Sequence, residues 1–292
     1  MKKPILFCLL LLSTTACSAN LTTLSPAVQV VETSQFAQVA ALTEQKVAEY
    51  ASDQVLIVVD IDNTLLTSTS DLGGDIWYQW QREQLAVKPS AEQKVKCLFE
   101  DNIALLYELS PMQLTEPDVA TYIKAWQKQD ITLFALTSRS PKTRAATLRE
   151  LTRAGLDMSK TALGKVGQHA PLLEDNIPRE MSYSQGIMMT SGMNKGEMLR
   201  YILNKTQRHF KAIIFVDDSQ KNVDNLAAEF SQKPTTDMTI FHYTKIENDR
   251  IKAQGSVLTQ QQADLMASQW NTLSQTLNTI FPARNTSTCL AQ

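Results

Sequence analysis

Glycine is scarce in this 292-residue sequence, at 9 residues, and neither G-x-G-x-x-G nor G-x-x-x-x-G-K-[ST] occurs. Loops of those kinds let backbone amides close around phosphates. Their absence argues against a dinucleotide fold of the usual kind and against a P-loop nucleotide hydrolase. An excess of one charge is also missing: 28 Lys and Arg stand against 30 Asp and Glu, a net charge of −2. No electrostatic case exists for a nucleic-acid partner. Internal repeats and low-complexity tracts are lacking. The histidines, His169, His209 and His242, are scattered, and the cysteines, Cys8, Cys17, Cys97 and Cys289, show no zinc spacing. Each histidine therefore reads as a surface or packing residue. The remainder, 43% hydrophobic and 20% charged, is the composition of an ordinary globular protein.

An apolar run at positions 4–12 follows Lys2 and Lys3 and is succeeded by the small residues "STTACSAN". It is too short to span a bilayer as a stable anchor, so residues 1–19 read as an export signal outside the fold. Two processing routes are open. Ala16-Cys17 resembles a bacterial lipoprotein site, with Cys17 acylated and Thr14 standing where Leu is usual; plain cleavage after Ala19 is the other. The expected location is outside the bacterial cytoplasm: the periplasm with a lipid anchor in the outer membrane, for which Ser18 speaks by resemblance, or secretion. With Cys8 removed and Cys17 lipidated, Cys97 and Cys289 remain, and export would permit them to pair.

The rest of the chain alternates between two patterns. Five apolar residues, Val55–Val59, read as a strand buried on both faces, and residues 131–137, 186–192, 211–218 and 237–244 give further strands. Helical periodicity marks 35–51, 194–207, 219–232 and 259–280. Another helix is predicted after the second strand, with Ser140 as N-cap, Pro141 at the first helical position and Gly155 as the stop. The fold class is α/β, a doubly wound parallel sheet covered on both faces. Between Thr64 and Ile131 lie 66 residues, where a crossover needs about a dozen. Three stretches there look helical; one suits the crossover, and two suggest a small cap over the strand ends. The expected organisation is a core of 26–66 and 129–282, a helical cap at 67–128 and a polar tail at 283–292.

Ligands of such sheets bind at the carboxyl ends of the strands. The first strand delivers Asp60 and Asp62 to that rim, the second Thr137, Ser138 and Arg139, and the fourth Asp217 and Asp218; Lys195 begins the helix after the third. Four crowded carboxylates repel one another unless cations compensate. Lys195 supplies one positive charge. A hard divalent cation with oxygen ligands, Mg²⁺ above all, is the natural remainder.

The segments "DIDNT", "LFALTS", "NKGEML" and "IIFVDDS" occur in this order on the expected elements. Together they resemble the four motifs of the haloacid dehalogenase superfamily. The stretch "GGDIWYQWQ" also resembles an exported bacterial family of that kind, known mainly as a domain of unknown function. The superfamily resemblance implies a Rossmann-like core and phosphoryl transfer. Asp60 would be the nucleophile on phosphorus and form an aspartyl phosphate. Asp62 would protonate the leaving alcohol and then deprotonate water. Thr137, Ser138 and Lys195 would bind phosphate, with Lys195 on a solvated rim. Mg²⁺ would contact Asp60, the backbone carbonyl of Asp62 and one acid of the last motif: Asp218 directly, with Asp217 a partner of Lys195, or the reverse. Asn222 stands where many members carry a second acid.

Some residues keep two readings. Arg139 either touches substrate or caps a helix. Trp77, Tyr78, Trp80 and Arg82 either line a substrate pocket or form core; Met188 and Met189 read as strand packing. The function expected is an exported Mg²⁺-dependent phosphomonoesterase acting on a phosphorylated substrate of open class. The alternatives are a phosphotransferase with an alcohol acceptor and an envelope interaction protein with little turnover.

Overall fold

The protein is described by a computed structural model covering residues 28–232, 236–284 and 288–289. The segment 1–19 expected to direct export, with Cys8 and Cys17, lies outside these residues, as does most of the tail. The central sheet has eight strands among the described residues, in the order β1-β10-β9-β2-β5-β8-β7-β6. These are β1 (Val28–Thr33), β2 (Val55–Val59), β5 (Thr132–Thr137), β6 (Leu173–Asn176), β7 (Glu180–Ser184), β8 (Ile187–Met189), β9 (Ala212–Asp217) and β10 (Asp237–Tyr243). A separate antiparallel pair, β3 (Leu66–Ser68) and β4 (Met112–Leu114), stands beside it. Strands β1, β10, β9, β2, β5 and β8 run parallel. The hairpin β6–β7 adds antiparallel strands at one edge.

Continuous apolar runs make the sheet a divider between two cores. Along β2, Val55, Ile57 and Val59 face one core, with Phe36, Ile123 and Trp126. Leu56 and Val58 face the other, with Met198, Leu199, Ile202 and Leu226. This period-two alternation, apolar on both sides, is what a parallel sheet between helix layers requires. The first layer contains α1 (Phe36–Tyr50), α4 (Val119–Lys128) and α5 (Arg144–Arg153); the second contains α6 (Lys195–Thr206) and α7 (Gln220–Ser231). Met188 and Met189 are buried strand residues, as expected. Register aligns the strand ends: Val59 lies level with Ala135 and Val216, and Thr137 with Met189.

The insertion differs from its expected form. Helices α2 (Asp75–Gln81) and α3 (Ile103–Leu109) belong to it, and α4 is the crossover helix. Of the three stretches between Thr64 and Ile131 that look helical in the sequence, the middle one, 90–109, becomes helical only at Leu98, with a π turn, Leu98–Asn102, leading into α3. The chain breaks at Cys97, which takes a left-handed φ of 51° and is disulfide-bonded to Cys289. Beyond α8 (Lys245–Gln254), the C-terminal helix α9 (Gln260–Ile280) lies against the insertion. Trp77, Trp80 and Leu106 pack on Ala263, Met266 and Ala267, and the Trp77 and Trp270 rings lie 6.0 Å apart. Arg250 adds an ion pair to Asp71 at 2.8 Å. The C-terminal segment thus packs on the insertion.

The disulfide closes a loop with a sequence separation of 192 residues and fastens the end of the chain to the cap. Replacing both cysteines with serine is expected to remove about 2–4 kcal/mol of stability. The measurement is denaturant unfolding of the pair variant beside the oxidised protein; identical midpoints would show that the bridge contributes nothing.

Candidate active site

Strand β2 is central and entirely buried, so the residue after it is held without freedom to drift. That residue is Asp60, whose backbone N–H donates to the Val216 carbonyl at 2.9 Å. Its side chain is buried and accepts at Oδ1 from Lys195 Nζ at 2.6 Å. The same ammonium donates to Asp217 Oδ2 at 2.6 Å. Lys195 is 0% exposed and among the largest fully buried side chains. The expectation of a solvated rim lysine is therefore corrected: the side chain runs under the strand ends and is anchored by two carboxylates. Burial alone would lower its pKa, but Asp217 and Asp60 together raise it above the ordinary value.

Local chemistry fixes each member. Asn194 caps α6 by accepting from the N–H groups of Gly196 and Glu197 at 2.9 and 3.2 Å, which places Lys195 at the first helical position. Gly196 lets α7 approach: an added Cβ would lie 2.6 Å from the Asn225 carbonyl oxygen. Asp217 Oδ1 accepts from Ser219 N–H at 3.0 Å and from Asn222 Nδ2 at 2.9 Å. Asn222 therefore orients Asp217 and adds no charge. Asp218 is half-buried beside them, and ligand oxygens of Asp60, Asp217 and Asp218 lie within 4.8 Å of one another. Burial pushes the Asp60 carboxyl up to about 7 against the pull of Lys195, with Asp217 and Asp62 adding to the rise. Burial, Asp75, Asp217 and Asp60 hold Asp218 well above the usual carboxylate range. Oxygen donors crowded with excess negative charge fit a hard divalent cation.

Asp62 turns away from the lysine and meets Arg139. The pair is bidentate: Nε donates to Oδ2 at 2.8 Å and Nη2 to Oδ1 at 2.7 Å. The guanidinium is buried, donates through Nη1 to Thr147 Oγ1 at 2.9 Å, and lies 4.1 Å from the centre of the Tyr107 ring. Arg139 neither points into open substrate space nor caps a helix; it holds Asp62. Thr137 is buried, and its hydroxyl accepts from Arg139 N–H at 3.2 Å. Its carbonyl accepts from the Thr190 N–H at 3.1 Å, which ties the second strand end to the loop before Lys195. Ser138 is exposed at the same turn.

Asp75, the first residue of α2, was not singled out by the sequence. Its Oδ2 accepts from Asn63 Nδ2 at 3.0 Å and from Gln79 Nε2 at 2.5 Å. Burial and the charge of Asp62 raise its pKa to about 6. Asn63 has φ 53°, a left-handed conformation that Asn tolerates, and its amide couples "DIDNT" to the insertion. The pairing of Gly73-Gly74-Asp75 at a helix start was the available signal. The aromatic cluster divides cleanly: Trp77 and Trp80 are core, while Tyr78 is half-buried and Arg82 exposed on another face. His169 and His209 are exposed, and His242 Nε2 meets the Asp218 carbonyl oxygen at 3.0 Å.

Removing Lys195 leaves two buried carboxylates uncompensated. Lys195→Met is expected to lose about 3–5 kcal/mol of stability, and adding Asp217→Asn to it should restore part of the loss. Urea unfolding of both variants checks this; an unchanged midpoint for Lys195→Met would contradict the buried arrangement.

The family model described as "Protein of unknown function (DUF2608)" matches residues 32–282. A candidate outer membrane protein of Chlamydia pneumoniae is 24% identical over 174 residues, 60% of this chain and 63% of the relative. Another from Chlamydia trachomatis is 23% identical over 199 residues, 66% of this chain and 72% of the relative. The chain thus spans 63% of the length of the first of these relatives. Among solved structures, the class C acid phosphatase of Bacillus anthracis is 13% identical, with a TM-score of 0.40 over 80% of this chain and 88% of that one. A haloacid dehalogenase-like hydrolase of Streptococcus pneumoniae is 12% identical, with a TM-score of 0.33 over 63% of this chain and 92% of that one. Likenesses of this size carry no weight for the chemistry, which rests on the site itself.

Proposed function

We propose that the chain, which belongs to the DUF2608 family, is a Mg²⁺-dependent phosphomonoester hydrolase of the haloacid dehalogenase type. One observation carries the reading. At the end of the central strand, Asp60 has one oxygen fixed on buried Lys195, with Asp62 two residues on and Asp218 within reach of a shared cation. The four motifs that resemble the superfamily converge on this one point.

Asp60, Asp218 and the backbone carbonyl of Asp62 would hold the cation, whose chemistry is to neutralise charge on the phosphoryl oxygens. Lys195 holds the Asp60 carboxylate in place and adds a fixed positive charge, while Thr137 and Ser138 stand where phosphate oxygens would be received. The free carboxylate oxygen of Asp60 attacks phosphorus, and the bond to the leaving oxygen breaks. Asp62 supplies the proton that makes that oxygen an alcohol. It then takes a proton from water as the water attacks the aspartyl phosphate, which returns Asp60 and releases inorganic phosphate. Both Asp62 oxygens accept from Arg139 in the resting pair, so Asp62 releases one of these bonds to carry the proton while the other keeps it aimed. Export, with the lipid anchor on Cys17, is the accompanying proposal for location; the names of the chlamydial relatives support an envelope setting.

Kinetics of two variants separate the carboxylates. Asp60→Asn removes the nucleophile, and turnover of 4-nitrophenyl phosphate should fall by about 10³-fold or more. Asp62→Asn should lose far more activity on alkyl phosphates than on 4-nitrophenyl phosphate, whose leaving group needs no proton. Chelation should abolish activity and added Mg²⁺ restore it. Turnover by Asp60→Asn would overturn the reading. Phosphate appearing on an added alcohol in place of free phosphate would identify a phosphotransferase, and absence of any turnover an envelope interaction protein.

A further inference from the structure

The geometry points to a second binding element at the mouth of the site: Arg82 and Arg179 form a subsite for a second anionic group, a phosphate or carboxylate, carried by the substrate. This deepens the phosphohydrolase reading and rests on it. Helix α2 sets the direction. Asp75 sits in the site at its start, and Tyr78 and Arg82 follow at positions i+3 and i+7, on the same helical face. The opposite face, with Trp77 and Trp80, is buried against α9. The helix therefore runs outward from the reaction centre and ends in an exposed cation. Seven residues at about 1.5 Å each put Arg82 roughly 10 Å further along the helix than Asp75.

Among the described residues, no carboxylate pairs with Arg82. Its guanidinium lies 5.4 Å from the centre of the Phe99 ring, and that ring meets Tyr78 edge-on at 6.0 Å. Phe99 stands on the π turn that begins after Cys97, so the disulfide to Cys289 fastens the platform. Phe99 is 48% exposed although it is a large apolar ring, which leaves the stacked guanidinium open to solvent. Stacking fixes the fork in a pose whose N–H edge can meet a ligand.

Arg179 comes from the other side, at the start of the hairpin strand β7. Its Nη1 donates to the Ser191 carbonyl at 2.9 Å, and Gly192 gives it room: an added Cβ there would lie 3.3 Å from Nη1. The Ser191 N–H donates in turn to the Arg139 carbonyl at 3.1 Å. Arg179 is thus fastened to the loop that joins the Arg139 turn to Lys195. Burial raises the pKa of the Tyr78 hydroxyl; the charge of Arg82 opposes this, Asp75 adds to it and Arg179 opposes it. Geometry reaches the two arginines from the same site: Arg82 lies along α2 from Asp75, and Arg179 is bound through Ser191 to the Arg139 turn.

The charge balance gives these residues a purpose. Inside, Asp60, Asp62, Asp75, Asp217 and Asp218 outnumber Lys195 and Arg139, and both of those cations are already engaged. Among the described residues, neither Arg82 nor Arg179 takes part in an ion pair. Both are exposed, one stacked on Phe99 and the other bound to the Ser191 carbonyl, beside an acidic site. A plain phosphomonoester reaches the inner site and leaves them unused. A substrate with a second anionic group on the order of 8–10 Å from the ester phosphorus engages both ends at once.

The test compares two probes that differ only in the second group, a hexose 1,6-bisphosphate and the corresponding hexose 6-phosphate, with Mg²⁺ and the mature full chain. Wild type should favour the bisphosphate by about tenfold or more in kcat/KM, chiefly through KM. In Arg82→Gln combined with Arg179→Gln the ratio should fall towards one. 4-Nitrophenyl phosphate serves as the reference for a working reaction centre. If wild type hydrolyses that ester but shows no preference between the hexose phosphates, the subsite is overturned and the phosphohydrolase reading stands. A preference that persists undiminished in the double variant also overturns the subsite. If wild type hydrolyses none of the three, both readings fall.

Discussion

The site depends on one buried ammonium. Lys195 Nζ sits between Asp60 and Asp217 with no exposure to solvent, and each of the three groups is tolerable there only because of the others. A buried cation without partners would be driven to lose its proton, and either acid alone would be driven to gain one. The sheet makes the arrangement possible: two parallel neighbours, β2 and β9, end at the same level and deliver the two carboxylates side by side. The N-terminus of α6, capped by Asn194, delivers the lysine from the adjacent layer. Asp60 is thereby presented with one oxygen committed and the other turned towards the space where Asp218 converges.

Around that triad the structure separates duties. Arg139 belongs to the second strand end but serves the first, fixing Asp62 through two parallel hydrogen bonds. Tyr107 of the insertion lies against its guanidinium, so the aim of Asp62 is coupled to the seating of the cap. Asn63 makes a second coupling through Asp75. The cap is fastened from outside by α9, by Arg250 on Asp71 and by the disulfide. These contacts give the insertion a defined pose over the strand ends, and they make the far C-terminus part of what shapes the site.

Much of this was legible in the sequence where the signal is local. Val55–Val59 is a continuous apolar run, and a strand buried on both faces can hardly read otherwise. Asp60, Asp62, Thr137, Lys195, Asp217 and Asp218 each sit at the end of such a run or the start of a helix, so the topology rule gathered them. The illegible parts are those decided by tertiary contact. The hairpin β6–β7 reads "LEDN" and "EMSYS", without an apolar run. The edge strand β1 exposes half of its residues, and α8 buries none. The helix expected from residue 90 is broken where Cys97 turns left-handed into its disulfide. The burial of Lys195 was missed because a lysine beside a helix start looks solvated until both of its partners are known. Arg139 was ambiguous for the same reason: its partner lies 77 residues away.

The central claim is that Asp60 takes the phosphoryl group. The most direct test is acid quenching of the Mg²⁺-loaded protein during turnover of 4-nitrophenyl phosphate, followed by mass spectrometry of the peptide containing Asp60. The account predicts a labile phosphate mass on Asp60 that is absent from Asp60→Asn protein. Steady hydrolysis with no phosphate on Asp60 in Asp62→Asn protein, where breakdown of the adduct lacks its base, would contradict it.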